Sequence, residues 1–422
     1  MQLKTKWKNI VSNPLFTGTA WMVFGNGSRI VIQGLYFILL ARTLKADGLG
    51  IFSSALALVS ILAPFSAWGS GNRIIMYASR NAKMFSKYFG NAVIVTIISG
   101  FSLGIILLLV NYFFLNQTFE WKLLLLLIIS DLFFFRLIEI CGQSFQSFDK
   151  LNITAQIYTA TSFARLVAAV LFTFKGLSSP YLWGIWYCAT SVIAGLLVFV
   201  FTVYHLGKPI FSLSSIGKGW REGFFFSLGT ASKTAYTDIN KTMLTTLESP
   251  SVSGIYTAAH RIILMIFVPV QSIIFSSNTR LFRLGKKGIS PIIQYAIKLL
   301  PIVIVYGIIA GFAAYLFAPI MPLILGEDFA QSVSILQWLI FLPTIQGMHY
   351  LLGDSLMGAG FQGPRSIAQV LVAIINLLAN FILIPQLSWK GAVISTYLAE
   401  GILVLIMIIL ILYYLRKEAI YE

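Results

Sequence analysis

Charge is what this sequence has least of. Asp and Glu together number 14 in 422 residues, and charged residues of both signs make up only 10% of the chain. A soluble domain carries about 25%. A water-facing surface cannot be built from so few, which excludes an ordinary soluble globular protein. Cysteine is nearly missing: Cys141 and Cys188 both sit in apolar runs, with no disulfide framework and no zinc spacing. The three histidines, His205, His260 and His349, are scattered, so no metal centre is expected. There is no Walker A loop, no nucleophile elbow and no His-Glu-x-x-His. The sequence therefore reads as neither an enzyme nor an ATPase, and it calls for no cofactor.

What remains is apolar. Hydrophobic residues make up 58% of the chain, and phenylalanine alone contributes 34. A helix needs ~20 mostly apolar residues to cross the hydrocarbon core. Runs of that kind lie near 17–40, 50–70, 90–114, 122–142, 152–174, 182–204, 222–245, 254–278, 293–318, 332–352, 366–385 and 391–414. Polar residues interrupt 222–245 and 332–352. The basic start is followed by a long apolar stretch without a small-residue cleavage site, so the first run is expected to stay as a span. The expected fold is all-α and integral to the membrane, with about 12 transmembrane helices.

The net charge of +16 would point to nucleic acid in a soluble protein. Here the basic residues cluster between apolar runs and set topology instead. With the N-terminus inside, eighteen Lys and Arg fall in inside segments, among them Lys4, Lys6, Lys8, Arg80, Lys83, Lys87, Arg283, Arg416 and Lys417. Only five, Arg42, Lys45, Lys122, Lys175 and Lys390, fall outside. That bias places both termini in the cytoplasm.

The chain repeats itself. Gly25-Asn26-Gly27-Ser28-Arg29 resembles Gly229-Thr230-Ala231-Ser232-Lys233, and Gly50-Ile51-Phe52-Ser53-Ser54-Ala55 resembles Gly254-Ile255-Tyr256-Thr257-Ala258-Ala259. Both matches share an offset of 204 residues. Six spans separate the copies, so both copies face the same way. This predicts two parallel six-helix bundles around a central cavity: residues 1–207, a cytoplasmic linker 208–221, and residues 222–422.

Polar residues inside the spans are the candidates for function. Asn26, Arg29, Gln33 and Tyr36 share one helix face, and 204 residues on stand Thr230, Lys233, Thr237 and Asn240. A charge at membrane depth costs roughly 2.5–3.5 kcal/mol and is normally turned toward a cavity or a partner. Arg29 and Lys233 lie deep for snorkelling, which is the competing reading. Arg136 and Glu139 form a second stripe with Gln143 and Gln146, and either face the cavity or neutralise each other. Arg165 and Arg261 are further cavity cations. Asp238 and Lys241, three apart, read as a pair. Glu400 either balances an internal cation or titrates in ion coupling. Counting Lys298 and Asp131 as well, the intramembrane charges sum to +3. Low dielectric magnifies such a potential, and a phosphate or pyrophosphate is the natural guest for arginine there.

Several short motifs, in order, resemble a known family. They are Leu40-Ala41-Arg42-Thr43-Leu44 leading into Gly48-Leu49-Gly50-Ile51-Phe52, then Asp238, then Gly254 to Arg261, and finally Asn376, Ile384-Pro385 and Gly391-Ala392. The chain resembles the Wzx-like polysaccharide and O-antigen repeat-unit flippases of the multidrug/oligosaccharidyl-lipid/polysaccharide exporter superfamily. The resemblance implies alternating access between leaflets of the bacterial inner membrane. It implies an undecaprenyl-pyrophosphate-linked oligosaccharide as substrate, carried from the cytoplasmic to the periplasmic leaflet for O-antigen, capsule or other surface polysaccharide. A cationic cavity, with Arg29, Lys233 and Arg261 here, belongs to that picture. So do a polysaccharide polymerase and a chain-length regulator as protein partners. A multidrug exporter of the same fold, and a membrane glycan polymerase or glycosyltransferase, are the alternatives. A +3 interior repels cationic drugs, and a polymerase calls for a large outward loop where short ones are expected.

Overall fold

A computed structural model describes residues 14–115, 118–211, 220–285 and 288–421. Nearly all of them are helical, and no strand occurs among the described residues. In chain order the helices are α1 Pro14–Ala67, α2 Ser70–Ala78, α3 Phe85–Phe113, α4 Trp121–Ile128, α5 Phe135–Gln146, α6 Leu151–Phe174, α7 Pro180–Leu206, α8 Trp220–Leu247, α9 Pro250–Gly285, α10 Ser290–Phe317, α11 Met321–Leu325, α12 Ser332–Trp338, α13 Leu342–Gly358, α14 Gln362–Leu387 and α15 Trp389–Tyr421.

Among the described residues, eight helices are long and apolar enough to cross a membrane, or up to nine if one bent pair counts as a single span. Two physical facts bring this figure to the twelve apolar runs of the sequence. First, α1 has 54 residues, and at about 1.5 Å per residue that is more than twice the hydrocarbon thickness. It is two passes joined at Lys45, whose backbone has φ 58° and ψ −173°. Second, α8 and the α4–α5 stretch are long enough but carry charges, namely Asp131, Arg136 and Glu139 in one and Lys233, Asp238 and Lys241 in the other. The bent pair turns by 52° between α12 and α13. Pro343 stands in the first turn of α13 there, and with no N–H it cannot continue the hydrogen-bond ladder of the preceding helix. Run 332–352 is thus a broken helix, whereas run 222–245 is a continuous one.

The chain divides into two compact units. One comprises Met1–Thr43 with Leu62–Ser227, and the other Leu44–Ile61 with Leu228–Glu422. Residues 44–61, from the second pass of α1, thus group with the second unit.

The first unit has its buried core where α2, α3 and α5 meet, around Ile74, Phe85, Phe89 and Ile140. A π-helical turn, Ile129–Phe134, joins α4 to α5 without ending the helix. Such turns carry an extra residue and are frequent at functional sites.

The second unit has a buried cluster along α14 and α15, with Val372, Ala399, Leu403 and Met407 packed under Leu356. A close crossing joins the second pass of α1 and the start of α9. A Cβ on Gly50 would collide with the carbonyl oxygen of Pro250, and a Cβ on Gly254 with that of Ala46. The offset is 204 in both contacts, since Pro250 is the counterpart of Ala46 and Gly254 that of Gly50. The hydroxyls of Ser53 and Thr257, another matched pair, lie 3.4 Å apart. Lipid gives helices little hydrophobic reason to associate, so small residues that admit close backbones dominate membrane crossings. Ser54 fastens the contact. Its hydroxyl is 2.6 Å from that of Thr245, 2.7 Å from that of Ser253 and 2.7 Å from the carbonyl of Lys241.

Candidate functional site

In the first unit, four helices bring charges together. Arg29, on the first pass of α1, holds its guanidinium 5.8 Å from the ring centre of Tyr158 on α6. Glu139 and Arg165 are the other charges whose fields reach it. Arg136 and Glu139, one helical turn apart on α5, form an ion pair with side chains 19% and 31% exposed. Arg165, on α6, donates to the Ser191 hydroxyl at 3.3 Å and lies 4.3 Å from the Tyr187 ring and 5.1 Å from that of Phe135. Tyr187 donates to the Asp131 carboxylate at 3.2 Å, and Ser130 donates to Ser191 at 2.9 Å. The π-turn supplies Ser130 and Asp131, so the bulge aims two polar side chains at α7 from an otherwise apolar stretch. Gln33 and Tyr36 follow Arg29 on α1, and Tyr36 packs on Trp183 at 5.8 Å. The Asn26 side chain lies outside the described residues.

In the second unit, Lys233 on α8 places its ammonium 4.4 Å from the ring centre of Tyr350 on α13. The matched cations at 29 and 233 thus share an environment: each is half-buried against a tyrosine face. Among the described residues neither forms an ion pair. Thr237, one turn beyond Lys233, spends its hydroxyl on the Lys233 carbonyl at 2.9 Å. Asp238 and Lys241 pair with each other. His260 stacks on Tyr256 at 5.7 Å, and Lys241, Asp238 and Arg261 are the charges around it.

Other polar residues of this unit are consumed in packing. Asn240, Asn376 and Asn380 are fully buried. Asn240 donates to Tyr256 at 3.1 Å and to Thr396 at 2.6 Å, and Asn380 donates to the Asn240 carbonyl at 2.6 Å. The network is satisfied from within and leaves no polar face for a ligand. Arg365 pairs with Asp354 at 3.0 Å.

Glu400 meets an imidazole. Its Oε2 is 2.6 Å from Nδ1 of His349, and Gln346 donates to its Oε1 at 3.1 Å. Nothing in the spacing of residues 349 and 400 announces the contact. Tyr350 and Tyr158, the two aromatic platforms, likewise give no sequence signal beyond being tyrosines in apolar runs. Among the described residues no group of three or more His, Cys, Asp or Glu could hold a metal ion.

This geometry, with cations on aromatic faces inside a helical membrane protein, can be set beside known proteins. The family model of the polysaccharide biosynthesis proteins, the family of the Wzx-like flippases, matches residues 15–280. No curated protein matches the chain. Among solved structures, it is similar to the inward-facing conformation of a multidrug resistance MATE family transporter of the MOP superfamily. That match has 15% identity, covers 92% of this chain and 96% of that one, and gives a TM-score of 0.71. The outward-facing conformation of a MATE family transporter matches with 15% identity over 96% and 98% of the two chains and a TM-score of 0.63. A MATE protein in its bent conformation matches with 13% identity over 97% and 98%, again at 0.63. At such identities the likeness is one of fold. Family and fold are those of transporters and not of enzymes, which removes the polymerase or glycosyltransferase alternative. The chain is a multi-pass membrane protein with the MATE transporter fold, and it belongs to the polysaccharide biosynthesis protein family.

Proposed function

We propose that this protein is a flippase that moves an undecaprenyl-pyrophosphate-linked oligosaccharide from the cytoplasmic to the periplasmic leaflet of the bacterial inner membrane by alternating access. The product feeds O-antigen, capsule or another surface polysaccharide, and both termini lie in the cytoplasm. The observation that carries this reading is the pair Arg29 and Lys233. They occupy matched repeat positions, each rests on a tyrosine, and neither forms an ion pair with a carboxylate among the described residues. A cation held at membrane depth without a counter-ion is costly unless an anion visits it, and a diphosphate on a lipid tail is such an anion. Arg165 and Arg261 add positive field, and Gln33, one turn beyond Arg29 on α1, is a polar group for sugar hydroxyls. Asp238–Lys241 and Arg136–Glu139 hold charge in check locally. The polymerase and the chain-length regulator would receive the product on the periplasmic side.

The test is genetic and biochemical together. In the source bacterium, Arg29→Ala and Lys233→Ala should each abolish surface polysaccharide at normal protein abundance, while Lys233→Arg retains most of it. Full polysaccharide from both alanine variants would overturn the reading. Loss of drug resistance with intact polysaccharide would favour the multidrug exporter of the same fold.

A further inference from the structure

We propose that Tyr397 is a positioning residue for the candidate site of the second unit: its hydroxyl clasps the break between α12 and α13, and the clasp sets where α13 presents Tyr350 to Lys233. A continuous α-helix would pair the Phe341 N–H with the carbonyl of Gln337, and the Leu342 N–H with that of Trp338. At the break, Leu342 donates instead to the Leu339 carbonyl at 2.9 Å. The Trp338 carbonyl thereby loses its helical donor. One side chain makes good both defects. The Tyr397 hydroxyl, from α15, donates to the Trp338 carbonyl at 2.7 Å and accepts from the Phe341 N–H at 3.3 Å. A phenol has one proton to give and lone pairs to accept with, so a single residue joins the end of α12 to the residue that precedes α13.

Nothing outside the protein can replace that hydroxyl. Trp338 and Phe341 are 47% and 58% exposed, and on a span such a surface meets lipid, which offers backbone groups no partner. The break is seated as well as clasped. Its Ile340 carbonyl is turned toward α10, where a Cβ on Gly311 would collide with it, and a Cβ on Gly307, one turn earlier, would collide with Thr344. Two glycines four residues apart thus admit the irregular backbone against α10. The Trp338 ring packs edge-on to Trp389 at the start of α15, at 5.8 Å. Tyr397 is the contact that spans the bend, since it holds a group on either side of it.

The bend matters because of what α13 carries. Tyr350 stands about 14 Å along the helix from Phe341, at about 1.5 Å per residue. Its ring centre is 4.4 Å from the Lys233 ammonium, and a cation feels a ring face within about 6 Å. The two helices meet at 52°. A change of about 10° in that angle displaces the Tyr350 end by roughly 2 Å over such a lever, which is the whole margin of the contact. Tyr397 therefore acts on the cation site through α13 while touching neither Lys233 nor Tyr350. The clasp and the positioning stand on this geometry; only their effect on transport rests on the role proposed above for Lys233.

The experiment compares the full-length wild type with Tyr397→Phe, which keeps the ring and removes both hydrogen bonds, in lipid nanodiscs. In the first arm, amide hydrogen exchange is followed by mass spectrometry. Exchange over 338–342 should speed up about tenfold, the effect of one lost hydrogen bond, and more than elsewhere in the second unit. Unchanged exchange there overturns the clasp. In the second arm, 3-fluorotyrosine is placed at position 350 and its fluorine resonance recorded. The signal should move in Lys233→Ala, which removes the cation, and move the same way in Tyr397→Phe. A merely stabilising Tyr397 would lower the melting temperature and leave the resonance in place, so a signal that stays put in either variant overturns the positioning. Gly311→Ala, which pushes the Ile340 carbonyl off α10 and keeps the Tyr397 hydroxyl, should move both readouts in the same sense, and it decides the matter where Tyr397→Phe yields too little folded protein. In the third arm, surface polysaccharide in the source bacterium should fall severalfold with Tyr397→Phe at normal protein abundance. Full polysaccharide from a variant whose fluorine signal has moved refutes the role of Lys233 and Tyr350 in transport and leaves the positioning standing.

Discussion

Replacing Gly50 by alanine puts a methyl group against the carbonyl oxygen of Pro250. The obstacle is backbone, so no rotamer change relieves it, and the two helices must separate. Overpacking of this kind costs about 1–3 kcal/mol. Separation also stretches the Ser54 hub, and two weakened interhelical hydrogen bonds add about 1 kcal/mol at the ~0.6 kcal/mol typical of each in membranes. Against this, alanine is the better helix former by about 0.5–1 kcal/mol. The net expectation is a loss of about 1–3 kcal/mol. Gly254→Ala meets the matched obstacle, the Ala46 carbonyl, and should cost the same within about 0.5 kcal/mol, the scatter usual for comparable sites. The double variant should cost less than the two singles together, because one separation relieves both collisions. Melting of the detergent-solubilised protein, followed by size-exclusion fluorescence, reads all three. A Gly50→Ala protein as stable as wild type would refute the close crossing. Full additivity would refute the shared, symmetric contact.

Three further outcomes follow from the same structure. Glu418 accepts from the backbone N–H groups of Ile289 and Ser290 at 2.8 and 3.0 Å and so caps α10; Glu418→Ala should cost about 1 kcal/mol and speed amide hydrogen exchange at the start of α10 more than anywhere else. Arg165→Ala removes the Ser191 bond and the contact with Tyr187 and should cost about 1–3 kcal/mol, whereas Arg165→Lys should recover stability only in part, because its ammonium cannot stack as a guanidinium does. Asn380→Leu strands Asn240 and Ser395 in a fully buried network, so folded yield should fall sharply, measured as monodisperse protein after extraction.

Much of this architecture was legible because lipid imposes simple rules on sequence. Span length follows from bilayer thickness, and the 204-residue offset followed from glycines that both halves need at one crossing. Gly50 and Gly254 were matched by sequence, and they sit against each other's helices. The break at Lys45 was not legible. A lysine in the left-handed region leaves no composition signal, and residues 44–61 join the second unit through contacts some 200 residues away. The bend before Pro343 shows only as polar residues interrupting an apolar run. The helix face bearing Arg29 could be read from spacing, since a single helix has a fixed period. The side chains that complete each candidate site could not, because Tyr158, Tyr350 and His349 arrive from other helices. Asn240 shares a stripe with Lys233 in sequence, yet one helical face can meet both an aromatic ring and a packed polar network.

The π-helical turn at Ile129–Phe134 has a consequence for how the sequence can change length. A regular helix tolerates no deletion, since losing one residue swings everything beyond it by about 100°. A π-turn already holds one residue too many. Removing Phe133 should let the segment relax into plain α-helix while Leu124 and Leu127 before it, and Ile138 and Cys141 after it, keep their partners. A fold that survives such a shortening while Ser130 and Asp131 lose their aim at Tyr187 and Ser191 would separate, within six residues, what the helix needs to stand from what it needs to act.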